Sequence, residues 1–216
     1  MEGEPMTTTK PLRVLVGCEF SGVVRDAFIA RGHDAWSCDL LPAEDDSKFH
    51  IQGDVLERLD DGWDLAIFHP PCTHLAVSGA KWFAGKRADG RQQAALDFVR
   101  ALLDAPIPRI GLENPVSIIS SHIRKPDQVV HPWMFGHPEQ KTTCLWLKNL
   151  PPLKATNNVR EEMMRLAKRE RERLHYLPPS PDRWKMRSTT YAGIAAAMAH
   201  QWGQPAPLPL FAESTP

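Results

Sequence analysis

Two short stretches carry residue types that could do chemistry. The first is Asp64-Leu65-Ala66-Ile67-Phe68-His69-Pro70-Pro71-Cys72, an apolar run that stops abruptly at a thiol. It reads as a buried parallel strand. The two prolines fix φ and would hold Cys72 at the strand's carboxyl end. Open α/β sheets bind their ligands just beyond those ends. Taken alone, a cysteine after one strand reads better as a core residue, since free Cys is among the most buried types. The second stretch changes that balance. Ile107 to Leu112 is another apolar run, and it ends in Glu113-Asn114-Pro115. A second parallel strand would bring a carboxyl group to the edge that holds the thiol. A thiol is a strong nucleophile once ionised, although with a free pKa of ~8.5 only a small share is thiolate at neutral pH.

The elements that must position these groups follow a βαβ order. Arg13 to Cys18 reads as a first strand, and Glu19-Phe20-Ser21-Gly22 as a tight turn. A helix over 23–31 has Val24, Ala27 and Phe28 on one face and ends at Gly32. His33 to Cys38 is a second strand closed by Asp39, and Phe49 to Gly53 a third, followed by Asp54. Strand, glycine turn, helix, strand and acid is the order of a nucleotide-like cofactor site. The turn brings backbone close to a ligand, and the acid accepts bonds from ribose hydroxyls. Arg91 to Leu103 is an amphipathic helix. Thr73 to Gly90 is a polar segment that is long for a plain loop in a compact domain. Thr142 to Leu147 is a further strand, Arg160 to Leu174 a charged helix, and Thr189 to Trp202 an Ala-rich helix closed by Gly203. The fold class expected is α/β, a doubly wound, mostly parallel sheet.

Composition narrows the setting. With 216 residues and 42% hydrophobic content, one domain with its own core is expected. The expected organisation is a disordered leader over 1–11, one domain over 12–203 and a disordered Pro-rich tail over 204–216. No run reaches membrane-spanning length, and residues 1–10 hold no apolar signal-like core, so a cytoplasmic location without a membrane is expected. Cysteines 18, 38, 72 and 144 show no C-x-x-C spacing, which points to neither a disulfide framework nor a metal. The formal net charge is zero, so a nucleic acid would have to be met by local patches. Residues 155–187 offer one, with nine Lys or Arg against five acids. A solvated helix stitched by i,i+4 pairs explains the same run.

Taken together, these motifs resemble the DNA (cytosine-5) methyltransferase family, over most of 12–203. Pro70-Pro71-Cys72 is similar to its catalytic Pro-Cys motif and Glu113-Asn114-Pro115 to its Glu-Asn-Pro/Val motif. Asp89-Gly90-Arg91 is similar to the Asp-x-Arg that follows its mobile catalytic loop, and 140–147 distantly to Gln-x-Arg-x-Arg and its strand. The resemblance implies a Rossmann-like methyltransferase sheet and S-adenosylmethionine as cofactor, with S-adenosylhomocysteine as product. It places Phe20, Ser21, Gly22, Asp39, Asp54, Pro70, Ala192 and Gly193 at the cofactor. It makes Cys72 the nucleophile, Glu113 the group on the base's N3/N4 edge and Arg91 a supporting catalytic residue. DNA is the implied partner, a duplex with its cytosine flipped out, touched by Ser78, Lys81, Trp82, Lys86, Arg87 and Asn114. The chain departs from the family at the two arginines, which appear as Thr142 and Cys144, and in the first motif, which keeps one glycine. The family's large recognition region is reduced here to 151–187. Recognition is then expected to be short or supplied by a partner subunit, and the size suggests a bacterial or viral origin.

The implied reaction is C5 methylation through a covalent Cys72–C6 adduct. To donate to N3, Glu113 must be protonated, which burial would favour by raising its pKa. Two other readings fit the sequence. One is C5 methylation of a free cytidine nucleotide or of single-stranded nucleic acid. The other is a catalytically silent cofactor- or DNA-binding module, or one half of a split enzyme. An amino-group methyltransferase would want an aromatic residue where Cys72 stands.

Overall fold

The computed structural model describes residues 10–204. The leader and tail expected at the termini lie outside these residues, apart from 10, 11 and 204. In chain order the strands are β1 Arg13–Gly17, β2 Asp34–Asp39, β3 His50–Gln52, β4 Leu65–Phe68, β5 Arg109–Pro115, β6 Gln128–Val130 and β7 Thr143–Lys148. The helices are α1 Val23–Ile29, α2 Phe83–Ala88, α3 Arg91–Asp104, α4 Ile119–His122, α5 Arg160–Arg165, α6 Lys168–Arg171, α7 Arg183–Ser188 and α8 Ala192–Trp202.

All seven strands form one sheet in the order β3-β2-β1-β4-β5-β7-β6. The first five run parallel, and β7 is antiparallel to both β5 and β6. This is the mostly parallel, doubly wound α/β sheet expected from the sequence. Period-2 alternation sorts each strand between two cores. Val14, Val16, Leu65 and Ile67 face α1 and α8, where Phe28, Met198 and Trp202 are buried. Leu15, Ala66, Phe68 and Leu112 face the other way, onto Leu96, Val99 and Leu102 of α3. A side chain at Gly111 would meet the Trp202 ring at 3.0 Å, so this glycine sets how closely α8 approaches the sheet.

The register lines up the strand ends. Gly17 pairs with Cys38 and with Phe68, and Phe68 pairs with Leu112. One residue further, Cys18, Asp39, His69 and Glu113 therefore form a row across four neighbouring strands. His69 N–H donates to the Gly17 carbonyl at 3.0 Å, which carries the ladder into that row. The chain order reverses between β2-β1 and β4-β5, so the row lies at the topological switch point.

Two expectations need correction. The single helix over 160–174 is two short helices, α5 and α6, with Leu166 and Ala167 extended between them. Only Met163 and Leu174 of this stretch are buried hydrophobics, too few to hold one continuous helix against the core. The Glu170 carboxylate accepts from Ala167 N–H at 3.0 Å and starts the second helix afresh. The polar loop over 73–90 is also more ordered than expected: a 3-10 helix spans Val77–Trp82 and runs into α2.

Candidate active site

β4 and β5 deliver the thiol and the carboxylate to one edge, and three sets of bonds hold them there. Asn114 Nδ2 donates to the Pro70 carbonyl at 2.9 Å, tying the two motifs directly. Beyond them, Val77 N–H donates to Val116 and Ile118 N–H to Leu75, both at 3.0 Å, around an antiparallel bridge between Ala76 and Ser117. The Cys72 carbonyl accepts from Leu75 and Ala76 N–H, so the turn after the thiol is closed on itself. Cys72 is exposed, whereas Cys38 and Cys144 are buried. The core reading of this cysteine therefore does not hold.

Burial and neighbouring charges shift both groups, and at Glu113 the direction differs from expectation. Desolvation, the largest influence, and then the Glu113 charge push the Cys72 thiol above its ordinary 9.0, against the pull of Arg187 and Lys141. At neutral pH the resting group is a thiol. Arg187 and Lys141 are the cations that reach it, and they are joined by a Lys141 Nζ bond to the Arg187 carbonyl at 3.0 Å. Neither was singled out from the sequence as a site residue, because no spacing links 72, 141 and 187. For Glu113, burial does push the carboxyl up. The hydrogen bond from His69 and the charge of Lys141 outweigh it, and the net direction is down. The expected protonated Glu113 is thus a carboxylate in the free protein. His69 Nδ1 stands 3.4 Å from Glu113 Oε2, with both side chains largely buried. His69 directly precedes the Pro-Pro-Cys stretch, a position that could have flagged it.

The cofactor-side residues divide into two groups. Asp39 ends β2 and Asp54 caps a 3-10 helix over Val55–Arg58. Each spends one carboxylate oxygen on its own turn, to Leu41 N–H and Leu56 N–H at 2.9 Å, and keeps the other. Leu40 beside Asp39 is 73% exposed. Gly22 starts α1 in the left-handed region at φ +74°, where a side chain would run into the buried Arg25 guanidinium. The carboxylate of Glu19, also missed from the sequence, accepts from Val24 N–H at 2.7 Å and Arg25 N–H at 3.2 Å and so shapes the turn that carries Phe20 and Ser21. A pair of free carboxylate oxygens beside an exposed apolar side chain fits a ribose and a flat apolar ring.

The other group is packed or bonded within the protein, apart from the exposed Ala192. Pro70 is buried and its carbonyl is taken by Asn114. Asn114 is itself 1% exposed and joins strand ends, so it is not placed to touch DNA. Gly193 is a packing glycine: an added Cβ would stand 1.9 Å from the Phe135 carbonyl oxygen. Its N–H is capped by His137 Nε2 at 2.9 Å, and Ala192 beside it is exposed on the first turn of α8. Gly193→Ala should therefore destabilise the fold by roughly 1–3 kcal/mol through forced repacking. A thermal melt would show it as a lowered Tm, while Ala192→Ser should melt like wild type.

The Arg91 guanidinium is paired with Asp89, with Nε at 2.9 Å, at the exposed start of α3. With Pro71, His74 and Phe98 it lines a recess of about 410 Å³ on the α3 side of the Pro-Pro turn. Arg187 and Lys141 are the cations whose charge favours the Cys72 thiolate. Among the DNA-side residues, Lys86 donates to the Thr73 carbonyl and anchors its own segment. Ser78, Lys81, Trp82 and Arg87 are exposed, Trp82 at 63%. The α7 end of the basic segment is docked on the β1–α1 turn: Trp184 packs on Phe20 with ring centroids 5.4 Å apart, and Lys185 Nζ lies 3.9 Å from Glu44. No group of residues able to hold a metal ion occurs among the described residues, nor a helix long and apolar enough to cross a membrane.

No family model matches the chain, and no curated protein matches it. Among solved structures, the chain is similar to a candidate DNA modification methyltransferase encoded within a prophage of E. coli. The two are 22% identical, with a TM-score of 0.43. The match covers 63% of this chain and 46% of that one, so the chain spans less than half of that neighbour's length.

Proposed function

We propose that the chain transfers a methyl group from S-adenosylmethionine to C5 of cytosine in DNA, with Cys72 as nucleophile and Glu113 on the base's N3/N4 edge. One observation carries the reading: the exposed thiol beyond β4 and the half-buried carboxylate on β5 stand at one sheet edge, locked together through Asn114 and Pro70. Cytosine C5 is a poor nucleophile on its own. Addition of the Cys72 thiolate to C6 moves the ring's π electrons toward C5 while N3 takes a proton from Glu113. This splits one difficult step into two. S-adenosylmethionine, held by Asp39, Asp54, Leu40 and the Ser21-Gly22 turn, would supply the electrophilic methyl group. Loss of the C5 proton to water then breaks the C6–S bond, releases the Cys72 thiolate and returns the N3 proton to Glu113. Because Glu113 rests as a carboxylate, it must gain a proton as the base arrives. Arg187 and Lys141 oppose the pressures that keep Cys72 protonated.

A base inside a duplex must be flipped out to reach this edge. The exposed Lys81, Trp82 and Arg87 lie on the helical segment that leaves Cys72, and they suit contact with phosphate and with the vacated stack. Replacing both Lys81 and Arg87 by Ala should flatten the slope of log K against log salt by about two, with methyl transfer at saturating DNA little changed. Binding isotherms over a salt series measure it directly.

The reading is tested by methyl transfer from labelled S-adenosylmethionine to duplex, single strand and deoxycytidine nucleotide. Transfer to duplex is expected. One observation favours the narrower alternative of a single strand or free nucleotide: the docking of α7 on the cofactor turn leaves little chain for sequence recognition. Transfer to the nucleotide alone would establish that alternative. No transfer together with cofactor binding would point to a silent module or a missing partner subunit.

A further inference from the structure

His69 is the buried titratable group that the proposed chemistry leaves unused. Its side chain is 8% exposed, and that of its neighbour Glu113 is 15% exposed. Nδ1 faces Glu113 Oε2 at 3.4 Å, whereas Nε2 is buried with no partner among the protein's groups. The backbone leaves this side chain little freedom, because His69 N–H is bonded to Gly17 and Pro70 follows it. The ring therefore turns one nitrogen to Glu113 and the other to no protein group among the described residues. The other groups acting on the pair are Glu19 in the β1–α1 turn, whose charge couples to His69, and Lys141 ahead of β7, whose charge acts on Glu113. The thiols of Cys72 and Cys144 also feel Glu113.

We propose that His69 is a positioning residue for Glu113: its imidazole fixes the carboxylate's orientation toward the base and shares with it the proton that passes to N3. The proposal rests on the C5-methylation reading above. The protons balance. One enters the His69–Glu113 pair from solvent as the base arrives, and the Cys72 thiol gives its own proton to solvent to become the attacking thiolate. The pair's proton moves from Glu113 to N3 as the S–C6 bond forms. After methylation the C5 proton passes to water, the C6–S bond breaks to release the thiolate, and the N3 proton returns to the pair. A carboxylate with one oxygen held by an imidazole keeps the other for the base, which is the geometry a donor to N3 requires.

The test uses His69→Asn, which keeps a donor near Nδ1, and His69→Leu, which keeps bulk and removes it. Two readouts separate this inference from the reading it rests on. The first needs no substrate: ¹³C NMR titration of the Glu113 carboxyl carbon, assigned with Glu113→Gln. In wild type it should titrate below the ordinary carboxylate range. In His69→Leu it should move up, and in His69→Asn only part of the way. The second is the pH profile of methyl transfer, where His69→Leu should lose about 10²-fold in kcat with KM little changed, its acidic limb displaced, and His69→Asn should recover part of the loss. A Glu113 titration identical in wild type and His69→Leu would overturn the proposal whatever the activity. So would an unchanged kcat profile in a folded His69→Leu protein. A wild type without methyl transfer would overturn the C5-methylation reading instead, and the titration would still decide the pairing.

Discussion

Cys72→Ala should abolish methyl transfer, by about 10⁴-fold or more in kcat, while leaving the fold and cofactor binding intact. The expected loss is large because no second route to a nucleophilic C5 is open once covalent addition at C6 is lost. The fold should be indifferent because the thiol is exposed and packs in neither core. A surface change of this kind shifts stability by no more than about 0.5 kcal/mol. Cys72→Ser should be nearly as inactive, since a hydroxyl at this edge would be still harder to ionise. The wild-type thiol, held above 9.0 by desolvation and Glu113, should react slowly with iodoacetamide at neutral pH. Its alkylation should rise as the pH passes through and above the ordinary thiol range. Arg187→Ala and Lys141→Ala should each make it slower still at a given pH, by removing a charge that favours the thiolate.

Glu113→Gln should cost about 10²–10⁴-fold in kcat. The amide can still bond to the base's edge but cannot deliver a proton to N3, so the loss falls on kcat more than on KM. The ionisation of Glu113 also makes two pH statements. Because the free protein holds the carboxylate below its ordinary 4.5, wild type should take up about one proton when a cytosine occupies the site at neutral pH. Calorimetry in two buffers of different ionisation enthalpy reads that number, and Glu113→Gln should abolish it. A carboxyl with a lowered folded pKa stabilises the fold above its unfolded value, and that contribution is lost as the pH falls through the folded value. The Tm gap between wild type and Glu113→Gln should therefore be present at neutral pH and close in acid.

The sheet was largely readable in the sequence because its central strands are continuous apolar runs ended by polar residues. β1, β4 and β5 are buried on both faces, and such strands announce themselves. β6 escaped because three residues carry too little pattern, and the reversal of β7 escaped because direction leaves no mark on periodicity. The row Cys18–Asp39–His69–Glu113 was half visible. Each member follows a run, but their alignment depends on register, which only pairing fixes. The charge state of Glu113 was misjudged for the same reason. Burial could be foreseen from the strand, whereas His69 lies 44 positions away in sequence and meets it only through space. Lys141 and Arg187 at the thiol are likewise products of the fold. Gly193, placed at the cofactor by the resemblance alone, has a packing role that only the fold reveals: it lets α8 approach the Phe135 carbonyl.

The central claim, covalent catalysis by Cys72 on cytosine, is tested most directly by trapping. Wild type and Cys72→Ala are incubated with S-adenosylmethionine and duplex or single-stranded oligonucleotides containing 5-fluorocytosine, then denatured. The fluorine cannot leave as a proton does, so an enzyme that has added to C6 and methylated C5 stays attached. A denaturation-resistant adduct with wild type and none with Cys72→Ala is the predicted result. Methyl transfer to unmodified cytosine with no adduct on the fluorinated base, or an adduct that survives in Cys72→Ala, would contradict it.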